Sequence, residues 1–153
     1  MSVTTAFPVM VQNIITALRA SSDLTGVRVF DGMEVDESYP GDAIAIGHDG
    51  SFGDIEMQAG SIQNSPFAFT DLHEEQGSIN CSLWSQDGST DLTARRNRAF
   101  ALLQAVDSVV RAEKTFSNAC LYSILTTNAI GYRQTQLGVA VVIDFTISYQ
   151  AQS

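Results

Sequence analysis

The side chains with which this sequence could do chemistry are two histidines, two cysteines, a run of acids and a knot of arginines. His48 stands in the turn-like His48-Asp49-Gly50, and His73 opens the polar stretch His73-Glu74-Glu75. A zinc-protease helix needs a second histidine four residues after the first, and Gly77 stands there instead. Both histidines therefore read as solvated polar positions, and no metal site is expected. Nucleophilic catalysis needs a Ser or Cys beside a base that is itself oriented. No Gly-x-Ser-x-Gly is present, and Cys81 and Cys120 fall in alternating strand patterns. That places them in the core or half-buried, as inert thiols. Gly47, Gly50 and Gly53 lack the lysine and the strand-turn-helix setting of a phosphate loop. The acids of residues 31–56 lack the strict spacing of a calcium loop, so Asp49 and Asp54 read as solvated. No catalytic residue, no cofactor and no enzymatic activity is expected.

Arg95, Arg96 and Arg98 form the one basic cluster. They fall in the first turns of a helix, where the dipole disfavours cations. Arginine suits bidentate pairing with carboxylates, so the cluster points to acidic partners, within the chain or on a neighbouring subunit. Trp84 follows an alternating strand and reads as a core edge or an interface anchor.

Local patterns assign the elements that hold these residues. Met10, Val11, Ile14, Ile15 and Leu18 recur at helical spacing, and Pro8 suits a first turn, which predicts a helix over residues 7–20. Val27-Arg28-Val29-Phe30 reads as a short strand ended by Asp31-Gly32, and Ala43-Ile44-Ala45-Ile46 as a buried strand. Between them lies an acidic loop with Tyr39-Pro40-Gly41. Residues 47–66 are rich in Gly, Ser and Asp and read as a long hairpin or loop. Phe67 and Phe69, then Ile79, Cys81 and Leu83, mark a one-sided antiparallel strand over 67–84. A second helix is expected over 91–112, capped by Ser89 or Thr90, with Leu92, Ala99, Leu102, Leu103, Val106, Val109 and Val110 inward. Strands follow over 119–127 and 137–149, the latter apolar at every odd position from Leu137 to Tyr149. This long hairpin exceeds what two helices can cover. The expected fold is a single α+β domain over 1–153, a mostly antiparallel sheet with two helices on one face.

Composition narrows the partners. The chain has 153 residues, 17 acids and 8 bases, a net charge of −9, and Lys114 is the only lysine. That length suits one core. Such charge disfavours nucleic acid and anionic lipid as binding partners, and no apolar run is long enough for a spanning helix. The N-terminal residues lack the basic region of a signal peptide, so no secretion signal and reduced thiols are expected. Residues 1–76 hold twelve acids against two bases, while residues 77–153 hold five against six. Such a chain can present unlike surfaces to unlike partners.

The order of these motifs resembles a known family. Val27-Arg28-Val29-Phe30-Asp31-Gly32, an acidic loop, Pro40 and Ala43-Ile44-Ala45-Ile46-Gly47 are followed by Ile79-Asn80-Cys81-Ser82-Leu83-Trp84-Ser85 and the helix from Arg95 to Val110. Over residues 10–150 this is similar to the tail terminator proteins of long-tailed bacteriophages, also described as minor tail or tail-completion proteins. Two features depart from the pattern. Gly41-Asp42 follow the loop proline where relatives often have an aromatic, and the 47–66 insertion is long.

The resemblance implies a non-enzymatic virion protein, assembled in the host cytoplasm and placed at the head-proximal end of the tail. It implies a homo-oligomeric ring, usually a hexamer, seated on the last ring of the tail tube protein. The other face would meet a head-completion or connector protein, and genomic DNA would pass through without specific binding. On that reading Asp31, Glu34, Asp36, Glu37, Asp42, Asp49, Asp54 and Glu56 are expected at the lumen or a ring interface, where acid repels phosphate. Arg95, Arg96, Arg98 and Trp84 are expected at subunit or tube contacts. The alternatives are another tail or neck part, or a small ligand-binding α+β domain.

Overall fold

Pro8 opens the first helix, α1 (Phe7–Ala20), whose Met10, Ile14, Ile15 and Leu18 form one buried stripe. The computed structural model describes residues 5–32, 41–49, 58–66, 73–135 and 138–152. After α1 a short 3₁₀ turn (Ser22–Leu24) leads to β1 (Arg28–Asp31), which pairs in parallel with β2 (Ala43–Ile46). β3 (Gly60–Pro66) and β4 (His73–Ser85) are antiparallel. Helix α2 (Leu92–Ala112) follows, and the chain closes with the hairpin β5 (Tyr122–Thr135) and β6 (Gly138–Gln152). The six strands found among the described residues make one sheet in the order β1-β2-β4-β6-β5, with β3 also beside β4. The fold is α+β, as expected.

Cross-strand register divides the sheet into two faces. Ile44, Leu83 and Ile143 are neighbours in one row, and Ile46, Cys81 and Phe145 in the next. These rows meet Met10, Ile14 and Leu18 of α1 and Ala99, Leu102, Val106 and Val110 of α2 to form the main core. The opposite face is also closed at its centre. Ala43 and Ala45 are small enough to let Trp84 and Phe30 lie over them, and Val142 completes this second cluster. Their rings stack with centroids 6.1 Å apart and planes 4° apart. β4 is thus buried on both faces at Ser82 to Ser85, where a one-sided strand was expected.

Several boundaries differ from expectation. The 47–66 segment contains the strand β3, which extends the β4 ladder where β2 ends. Asn80 marks the exchange: its carbonyl accepts from Gly47 N and His48 N (2.7 and 2.8 Å), while its own N–H donates to Ala59 O (2.8 Å). β5 runs eight residues beyond 127, because a bulge between Thr127 and Ala129 lets pairing with β6 continue. Leu121 precedes that strand and is exposed, although the strand was expected to begin at 119. Asp91, not Ser89 or Thr90, caps α2, accepting from Ala94 N at 3.1 Å; Ser89 Oγ in turn accepts from Asp91 N. Tyr39, Pro40, Phe67, Phe69 and Leu137 lie outside the described residues.

Candidate functional site

Asp42 is the centre of the charged cluster. It precedes β2, where its carbonyl accepts from Arg28 N. Its carboxylate accepts from Arg98 Nε at 2.8 Å and from Ser85 Oγ at 2.6 Å, with Arg95 Nη1 3.9 Å away. Arg95 also donates to Ser85 Oγ (3.0 Å) and pairs with Asp87 (3.0 Å). One hub therefore joins the start of β2, the end of β4 and the first turns of α2. It answers the unfavourable placement of cations at a helix N-terminus: Asp42, Asp87 and the cap Asp91 surround them with acid. For Arg95 and Arg98 the acidic partners are within the chain. Arg96 donates to the Tyr132 hydroxyl (3.4 Å) on the exposed flank between α2 and β5.

The remaining sequence candidates are dispersed. Trp84 is at a core edge, 3% exposed, between Phe30 and His48. His48 is buried rather than solvated, because its ring packs beside Trp84. Burial holds its imidazole below the ordinary range, against the opposing pull of Asp49 and Asp144. Asp144 accepts from Ser82 Oγ (3.0 Å), and burial raises its carboxyl. Asp49 is half-buried and accepts from Gln58 N (2.9 Å), where a solvated position was expected. Asp31 is exposed at the end of β1. Glu34, Asp36, Glu37, Asp54 and Glu56 lie outside the described residues. Cys81 and Cys120 are free and buried, as their patterns predicted; burial pushes the thiols up to about 12 and about 11. Among the described residues no group of three or more His, Cys, Asp or Glu is placed to hold a metal ion. No described helix is long and apolar enough to cross a membrane.

A buried carboxylate carries a role that the sequence did not disclose. Glu75 of β4 is 1% exposed. It accepts from Thr5 Oγ1 (2.9 Å), from Ala6 N (3.2 Å to each oxygen) and from the Tyr149 hydroxyl (2.5 Å). Ala6 is the N-cap of α1 and has no side-chain acceptor, so Glu75 supplies from the sheet what the helix lacks locally. Burial and the neighbouring carboxylate hold the Tyr149 phenol above its ordinary range. Gly77 makes room for this: a Cβ there would stand 2.2 Å from the Tyr149 ring.

The α2 and β5 flank is open. Two hollows of about 440 and 500 Å³ lie along it and share Asp107, Arg111 and Leu125. Phe100, Leu103 and Thr127 line the first; Lys114, Tyr122 and Ile124 help line the second.

No family model and no curated protein matches the chain. Among solved structures it is similar to a chain from the virion of a native gene transfer agent (GTA) particle, at 12% identity and a TM-score of 0.53. The match covers 99% of this chain and 100% of that one. At that identity the likeness is one of fold, and it runs from end to end of both chains.

Proposed function

We propose that this chain is a structural protein of a phage-like virion, and within it the tail terminator. The observation that carries the reading is the end-to-end fold match to a virion chain. The order of motifs, which resembles tail terminators, supports the finer role. In this role the chain forms a ring, a hexamer in the family it resembles, on the last ring of the tail tube. The ring ends tube growth and offers its other face to a head-completion protein. It catalyses no reaction. Acid from the first half of the sequence, Asp31 among it, faces the lumen or a ring interface, where it keeps passing DNA from adhering. Of the three arginines, Arg96 is the one for a neighbour, because its bond to Tyr132 lies at an exposed flank.

Immunogold labelling of intact particles with antibody to this chain tests the assignment. A single cluster of label at the head-proximal end of each tail is expected. Label along the whole tube would make it a tube protein. Label on the head with none on isolated tails would make it a neck component.

A further inference from the structure

The border of the sheet at β5 lacks the features that keep an edge strand solitary. Such strands are normally short, charged or broken by proline. β5 has fourteen residues, no proline and one charge, Arg133. Tyr122, Ile124, Ile130 and Tyr132 along it are each 49–58% exposed. The bulge places Tyr122 and Ile124 on the outer face and Ile130 and Tyr132 on the helix face, as their β6 partners show. An added strand would therefore meet apolar surface on both faces.

The opposite border offers the complementary part. β3 pairs with β4, and no second partner strand is found among the described residues. Its Ile62 is 41% exposed and stands opposite Gly77, hence on the helix face. If β3 of one copy continued the sheet of another beyond β5, Ile62 would enter the groove floored by Leu125, Leu103 and Phe100. Charge favours the same union. Of the described charges, Arg96, Lys114 and Arg133 stand along the β5 flank beside the paired Asp107 and Arg111, while the acids Asp49 and Glu74 stand beside β3. A contact of β5 with β5 would set basic surface against basic surface, whereas β5 with β3 sets basic against acidic.

We propose that the β5 edge and the α2 groove of one copy receive the β3 edge of a second copy. This contact joins two different surfaces, so it propagates head-to-tail and closes as a ring when the rotation permits. It rests on the self-association in the proposed function and adds the surfaces that make it.

Two variants test it, one for each surface: Ile124→Glu with Ile130→Glu on β5, and Ile62→Lys on β3. All three side chains are substantially exposed, so the circular dichroism of each variant should match the unaltered protein. Mass photometry and sedimentation velocity then read the assembly state. The unaltered protein should self-associate. Each variant should weaken self-association by about a hundredfold or more, as charge in an interface core does. Mixed in equal amounts, the two variants should form a dimer and nothing larger, because each retains the surface that the other lacks. The proposal is overturned if the mixture stays monomeric or if the unaltered protein never associates. It is equally overturned if Ile62→Lys assembles normally while the β5 variant does not, which marks a β5-to-β5 contact. Immunogold position is independent of this result, so either can fail alone.

Discussion

Replacing Glu75 with alanine should destabilise the fold by about 3 kcal/mol, a figure that follows from its partners. Alanine leaves the Thr5 hydroxyl, the Ala6 N–H and the Tyr149 hydroxyl without their acceptor. A buried donor left unsatisfied costs about 1–3 kcal/mol. Water can reach Thr5 and Ala6, which are half-buried, and it recovers part of that cost. It recovers little at Tyr149, which is 3% exposed. Relief from burying the carboxylate offsets a further part. In a domain of this size each kcal/mol shifts the thermal midpoint by about 2–4 °C. The expected loss is therefore about 6–12 °C by circular dichroism melting. Tyr149→Phe should cost less alone, and far less again in the Glu75→Ala background, with a coupling of about 1 kcal/mol or more. A shift of under about 3 °C for Glu75→Ala, or strict additivity of the pair, would refute the assignment of Glu75 as the distant cap of α1.

Three further outcomes follow from the same packing. Gly77→Ala should displace the Tyr149 ring and cost about 1–3 kcal/mol, seen as a lower melting midpoint with an altered near-ultraviolet signal. Buried His48 takes up a proton less readily in the folded chain than in the unfolded one. Stability present above its ordinary value of 6.5 should fall as pH drops below it. The slope is up to about 1.4 kcal/mol per pH unit, and His48→Gln should flatten it in urea titrations. Asp144, raised by burial, acts in the opposite sense within the carboxylate range, favouring the fold as pH falls. Cys81 and Cys120 should resist maleimide at mildly alkaline pH in the folded protein and both react in guanidinium. Rapid labelling of either under native conditions would contradict their burial.

The elements that were legible are those whose burial follows a single period. The stripe of α1, the inward face of α2 and the odd positions of β6 each pack against one core, so pattern and structure coincide. β3 was not legible, because Gly60-Ser61-Ile62-Gln63-Asn64-Ser65-Pro66 carries one apolar side chain and borders the sheet. The second half of β5 escaped for another reason. Its exposed large apolar residues, Tyr122, Ile124, Ile130 and Tyr132, keep even numbers across Asn128, but the bulge turns the last two to the other face. Partners distant in sequence were the least legible. Glu75 is only one residue of a polar stretch in the sequence, and its partners Thr5 and Tyr149 each lie about seventy residues away. Arg95 and Arg98 announced acidic partners, yet only the fold selects Asp42 from the acids of that segment.

The reading of this chain as a terminator is tested most directly by the length of tails assembled without it. Negative-stain microscopy of particles produced with its gene deleted should show tubes longer than normal and of variable length. Heads should remain unjoined, and supplying the protein in trans should restore one uniform length. Tails of normal, uniform length in its absence would contradict the account.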